Sequence, residues 1–279
     1  MTFQELRALF PAVVRNTYLN AAAASPIALP IERVIADHYR EAVEQGDVGF
    51  GSWLRRKEDT RAAMAKLLGA RNNEVAFTPN TSTGFSLIAS LFVQRGLREV
   101  LTLAHEFPST TLPLLNAGLR LRVVQPRDDG TYPVEALEAA IGPETGAIAA
   151  SAVQFSSGFR LDLARTAALA RDRKLLFAVN AAQALGQVPV DVGVGIDFLA
   201  ATSHKWLMGG YGVGIFFARN EALEGLRFPI AGWISAELPM AMDNLIGATK
   251  DFVDGGRVVL AQGVQLKHDA TAVEVGSHA

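Results

Sequence analysis

From Glu74 onward the chain alternates short apolar runs with amphipathic stretches, and this rhythm restricts the fold more than any other feature of the sequence. Val75–Thr78 reads as a strand and Thr81–Gln94 as a helix; Val100–Ala104 is the next strand and Ser109–Ala117 the next helix. Leu121–Gln125, Val134–Ala140, Ala147–Val153, Leu163–Arg171, Leu175–Val179 and Asp197–Thr202 continue the series. Short apolar strands interleaved with helices predict an α/β fold with a mostly parallel, doubly wound sheet covered on both faces. Ligands of such sheets bind beyond the carboxyl ends of the strands, where Thr81, His105 to Phe107 and Asn180 fall. Upstream, Ile31, Val34, Ile35, His38, Tyr39, Ala42 and Val43 recur at helical spacing. A second helix is predicted from Ser52, as N-cap, to Leu68, with Gly69 just past its end. Both helices are expected at the periphery of the sheet. After Asn220 the pattern weakens, and Gly255 to His268 is compatible with a hairpin.

Composition removes several function classes. With 279 residues and 49% apolar content the chain can bury a large core. Its 26 Lys and Arg nearly balance 28 Asp and Glu, so no basic field points to nucleic acid or an anionic membrane. The absence of cysteine excludes disulfides, thiolate metal sites and a cysteine nucleophile within these residues, and fits a cytoplasmic protein. Neither a signal peptide nor a membrane span is expected: Met1 to Arg7 lack the pattern, and the apolar run Gly146 to Phe155 is too short. No metal site is expected either, because His38, His105, His204, His268 and His278 show no ligand spacing. No G-x-G-x-x-G follows the first strand, which argues against a dinucleotide-binding oxidoreductase.

Two segments carry chemistry. Phe77-Thr78-Pro79-Asn80-Thr81-Ser82-Thr83-Gly84-Phe85 runs from a strand end through hydroxyl-rich residues into a helix start, which is a place for an anion, although an ordinary helix cap has the same look. Thr202-Ser203-His204-Lys205-Trp206 puts a lysine directly after a strand and before the Gly-rich turn Gly209-Gly210-Tyr211-Gly212. A lone lysine is usually a solvated surface group and a lone histidine a structural one. An amine at a strand end beside hydroxyls and a ring stabiliser is what pyridoxal phosphate chemistry requires.

With Val179-Asn180-Ala181-Ala182-Gln183 upstream, the Lys205 segment resembles the cofactor block of the class V aminotransferase family of fold-type I pyridoxal phosphate enzymes, which includes cysteine desulfurases and isopenicillin N epimerase-like proteins. The resemblance runs from Tyr18-Leu19-Asn20 to about Trp233 and returns faintly at Val273-Glu274-Val275-Gly276-Ser277. It implies a seven-stranded large domain over residues 71–235, preceded by a helical segment (1–70) and followed by a remnant (236–279) that leads to a missing small C-terminal domain. It also implies that Lys205 forms the Schiff base with pyridoxal 5'-phosphate and shuttles protons at the substrate Cα. Thr81, Ser82, Thr202 and His204 would hold the phosphate, Gln183 the phenolic oxygen, and Phe107 would stack on the ring. Asn180 would stand at the ring nitrogen. Gly276-Ser277 resembles a segment that reaches the partner's phosphate, so a homodimer with a shared site is implied, with Ser277 among the cofactor ligands.

The chain departs from the family pattern at points that bear on activity. Asn180 stands where an acid is usual; a carboxylate there keeps the ring nitrogen protonated and the ring electron-withdrawing, and an amide does not. Transamination is therefore expected to be slow or absent, and greater in Asn180→Asp. Without the C-terminal domain the usual carboxylate-clamping Arg is missing, with Arg160, Arg227 and Arg257 as possible substitutes. Phe155 stands near a usual substrate-facing Asn, and Ala272-Val273 replace the usual Arg-Phe. The resemblance implies an enzyme acting on an amino acid or amine, its activity weakened or lost through these changes. Aminotransferase is the default; an epimerase or lyase of the same fold, or a non-catalytic binding or assembly protein, are the alternatives.

Overall fold

A computed structural model describes residues 1–235, 253–254, 257–258 and 266–276. Strands β1 (Val75–Thr78), β2 (Glu99–Leu103), β3 (Arg120–Val124), β4 (Thr145–Ser151), β5 (Leu176–Asn180), β6 (Phe198–Thr202) and β7 (Gly214–Ala218) form one sheet, ordered β1-β7-β6-β5-β4-β2-β3. β7 is antiparallel to both neighbours and every other pairing is parallel. The carboxyl ends of β1, β2, β4, β5 and β6 consequently share one edge.

Residue parity along the strands builds a core on each face. Phe177, Val179, Leu199 and Phe217 join Leu68, Leu101 and Leu103 on one side. Ala178, Phe198, Ala200 and Phe216 join Phe85, Ile88 and Phe92 on the other. Helices α5 (Thr81–Gln94), α6 (Pro108–Asn116), α7 (Val134–Ala140) and α8 (Leu163–Asp172) cross between strands, as the doubly wound pattern predicts. Upstream lie α1 (Phe3–Ala8), α2 (Pro11–Arg15), α3 (Leu29–Gln45) and α4 (Phe50–Leu68); α3 buries none of its residues. Among the described residues no helix is long and apolar enough to cross a membrane.

Three details differ from the expectation. The seven strands that the resemblance implies are present, but the alternating pattern located only six of them; the seventh, β7, is a fully buried Gly-Ile-Phe-Phe-Ala run. It follows β6 without a crossover helix, so it breaks the rhythm that revealed the others, and the connecting loop is the one that carries Lys205. Ser52 is not the N-cap of α4. Gly49 is, and Ser52 lies in the first turn with its hydroxyl donating back to the Gly49 carbonyl at 2.8 Å. Gly69 does end that helix, in the left-handed conformation. Of the hairpin expected between Gly255 and His268, the described part is an antiparallel pair of β8 (Val253–Asp254) with β9 (Arg257–Val258), which begins earlier than expected; the rest of that segment up to Gln265 lies outside the described residues.

α5 sits unusually close to the sheet. A Cβ built on Gly84 would lie 2.6 Å from the Ala200 Cβ of β6. Gly84→Val is therefore expected to destabilise by about 1–3 kcal/mol through overpacking, read as a lower urea midpoint with an unchanged slope. The contact matters for the site because it brings the start of α5 beside the end of β6.

Candidate active site

At the carboxyl edge of the sheet lies a cavity of about 500 Å³. Thr81 and Ser82 enter it from the start of α5, Phe107 from the start of α6, and Asn180 from the end of β5. Gln183 lines it just after β5, and Thr202, His204 and Lys205 at the end of β6. Eight sequence-expected residues thus share one space; Ser277 lies outside the described residues.

Lys205 is held by the loop that joins β6 to β7. The carbonyl of His204 accepts the Ser25 N–H at 2.9 Å, and Trp206 Nε1 donates to Gln183 Oε1 at 2.8 Å. Gly186, at φ 95°, lets the chain pass under Trp206, whose carbonyl oxygen would be 2.7 Å from a Cβ at that position. Lys205 Nζ lies 5.3 Å from the centre of the Phe107 ring, and Phe155 meets Phe107 edge-on at 5.2 Å. Burial lowers the pKa of the Lys205 amine from the ordinary lysine value. Burial, and then the charge of Lys205, lowers that of His204. The amine is thus more readily neutral, and so more nucleophilic, than a surface lysine.

Facing it is a cluster of donors. Asn80 caps α5 by accepting the Thr83 N–H at 2.9 Å, leaving Thr81 and Ser82 as the first two helical residues. Thr81 Oγ1 is buried with no hydrogen-bond partner among the described residues. A buried hydroxyl left unpaired is costly, and at a helix N-terminus it marks a place where an anion would complete the structure. Thr202 Oγ1 lies 2.7 Å from His204 Nδ1, whose ring stacks on Tyr211 at 4.7 Å.

Asn180 is 3% exposed. Its Oδ1 accepts the Ala182 N–H at 3.0 Å and its Nδ2 donates to Thr110 Oγ1 at 2.8 Å. Thr110 in turn donates to Glu106 Oε2 at 3.2 Å. Glu106 also accepts from Ser151 N at 2.7 Å, Gln154 Nε2 at 2.8 Å and the Ser151 hydroxyl. Burial raises the pKa of the Glu106 carboxyl despite these donors.

Asn20, Ala22, Ala23, Ser109 and Ser151, to which no role is assigned from the sequence, also line the cavity. Thr110 and Glu106 stand behind Asn180, and Tyr211 stacks on His204. Asn20 falls where the family resemblance begins, which was the one available signal; the others are small or helical residues with no local mark. Of the proposed substitute clamps, Arg160 and Arg227 do not line the cavity, and the Arg257 side chain lies outside the described residues.

The sequence profile described as "Aminotransferase class-V" matches residues 17–238. The chain belongs to that family. An uncharacterized aminotransferase, YcbU, of Bacillus subtilis is 29% identical over 84% of this chain and 63% of its own length. An isopenicillin N epimerase of Amycolatopsis lactamdurans is 31% identical over 88% of this chain and 65% of its own. A solved apo cysteine desulfurase from Thermococcus onnurineus superposes with a TM-score of 0.81 at 23% identity, over 99% of this chain and 67% of that one. The fold is that of the fold-type I pyridoxal phosphate enzymes. The chain spans 63% and 57% of the length of the first two curated relatives.

Proposed function

We propose that this class-V family member is a pyridoxal phosphate-dependent enzyme that acts on an amino acid or amine at Lys205. The observation that carries this is the pairing, in one cavity, of a partly buried lysine amine with a donor cluster that contains the orphaned Thr81 hydroxyl. The residues present fit the cofactor. Thr81, Ser82, Thr202 and His204 would hold its phosphate. The Gln183 amide, bonded to Ala22 O and Trp206 Nε1, keeps one N–H for the phenolic oxygen. Phe107, 43% exposed and beside Lys205, offers a flat apolar surface to the ring.

When bound, the cofactor supplies an electron sink for the pair released at the substrate Cα. Lys205 would hold it covalently and, with the substrate amine in place, would carry the proton to or from Cα. Burial lowers its pKa from the ordinary lysine value, which favours the neutral amine a base requires. A homodimer with a shared site, Ser277 reaching across, is part of the proposal. Epimerase chemistry is the second reading, supported by the isopenicillin N epimerase relative. Desulfuration by a thiol of this segment is not supported, since its 279 residues contain no cysteine.

The test is covalent trapping. Purified protein loaded with pyridoxal phosphate, reduced with borohydride and digested is expected to carry the cofactor mass on Lys205. An adduct confined to other lysines, or none at saturating cofactor, overturns the proposal.

A further inference from the structure

The carboxylate expected at the end of β5 is absent, and the side chain in its place is pinned in one orientation. The backbone N–H of Ala182 can only donate, so the Asn180 atom 3.0 Å from it must be the carbonyl oxygen. The amide nitrogen therefore points the other way, where it gives one proton to Thr110 Oγ1 at 2.8 Å. Thr110, accepting there, can direct its own proton to Glu106 Oε2. Glu106 Oε1 accepts from two further groups, the Ser151 N–H and the Gln154 Nε2 amino group. The hydrogen-bond direction thus runs from Asn180 through Thr110 to Glu106, and one N–H of Asn180 remains for the cavity that the residue lines.

Charge leads the same way. Among the described residues, the groups around the cavity that titrate are Lys205, His204 and, behind Thr110, Glu106. Lys205 and His204 carry positive charge or none, and the one carboxylate reaches Asn180 only through an intervening hydroxyl. Among the described residues, a positive charge beside Asn180 would be buried without a direct counter-ion, which is unfavourable.

We propose that Asn180 donates a hydrogen bond to the ring nitrogen of the bound cofactor and that the site keeps this nitrogen unprotonated, with Thr110 and Glu106 as positioning residues that hold the amide in its donating orientation. The inference rests on the assignment of pyridoxal phosphate to this cavity. It narrows the chemistry: an unprotonated ring withdraws electrons less strongly, so a proton taken from Cα by Lys205 is returned to Cα in preference to moving onto the cofactor carbon. The bond broken and the bond remade are then the same Cα–H bond, and no oxidant or acceptor is consumed. Proton exchange at Cα fits such a site better than transamination does; epimerisation would need, besides Lys205, a proton delivered to the opposite face of Cα.

The experiment is nitrogen-15 NMR of the protein loaded with pyridoxal phosphate labelled at the ring nitrogen. In the native protein the resonance is expected at the unprotonated position throughout the neutral range, shifted by a hydrogen bond that Asn180→Leu removes. Asn180→Asp is expected to move it to the protonated position. A protonated resonance in the native protein overturns the inference, and so does an unprotonated one that Asn180→Leu leaves unmoved. Because the native spectrum alone decides the protonation state, a variant that fails to fold does not block the test. Failure to bind the labelled cofactor at all would count against its assignment to the cavity instead.

Discussion

Lys205→Ala is expected to slow exchange of the Cα proton of a responsive amino acid by about 10²–10⁴-fold, the range that a positioned proton-transfer group contributes. The measurement is NMR of an amino-acid panel in deuterated water with the cofactor-loaded protein, native against variant. The size of the effect follows from the amine's position. Burial lowers its pKa from the ordinary lysine value, Phe107 lies 5.3 Å away, and its backbone is fastened through His204 and Trp206 to distant parts of the chain. A neighbouring hydroxyl is no substitute, since Thr202 Oγ1 is already engaged with His204 Nδ1. Cofactor should still enter the Ala variant, because the phosphate donors are untouched, and a small added amine is expected to restore part of the rate. If the panel shows equal exchange in native and variant protein, Lys205 is not the proton carrier.

That residue was legible in the sequence because its signal is local: a strand, hydroxyls, a lysine and a Gly-rich turn in unbroken order. The same is true of α5, whose bounds, Thr81–Gln94, are those the pattern predicts. Strand ends were less legible where a polar residue is buried. β2 begins at Glu99 and β4 at Thr145, before the apolar runs that mark them. The Glu99 carboxylate accepts from Arg122 Nε at 2.7 Å and Thr145 Oγ1 at 2.8 Å, so the sheet takes in residues that resemble a boundary when seen alone. Within the site, Gln183 could be picked out but its partner could not: Ala22 is 161 residues away. The Asn180–Thr110–Glu106 chain was hidden for the same reason, since β5 meets α6 only in three dimensions. The identity of Asn180 could be read as a departure; its orientation needed the Ala182 N–H.

Glu274→Ala is expected to cost about 3–5 kcal/mol of stability, the usual effect of removing one partner from a buried ion pair. Glu274 has a 2% exposed side chain and Arg61, its partner in α4, a 4% exposed one. Arg61 donates through Nη1 at 2.7 Å and Nη2 at 2.9 Å, Lys57 approaches at 2.5 Å, and the Phe77 N–H of β1 donates at 2.8 Å. Truncation would leave the Arg61 guanidinium to Glu58, which is largely solvated, and the Val75 carbonyl. It would also strip the Phe77 N–H of its acceptor in the strand that leads to Thr81. The effect must depend on pH. Burial raises the Glu274 pKa, but the hydrogen bonds and charges of Arg61 and then Lys57 outweigh it, and the net shift is downward. A carboxyl depressed on folding contributes stability that is fully present above its unfolded pKa and lost as pH falls through its folded one. Urea midpoints of native and variant protein should therefore differ most near neutral pH and converge in acid below the ordinary carboxylate range. A gap that stays constant down to low pH would show that the carboxylate's charge is not what holds this segment to α4 and β1.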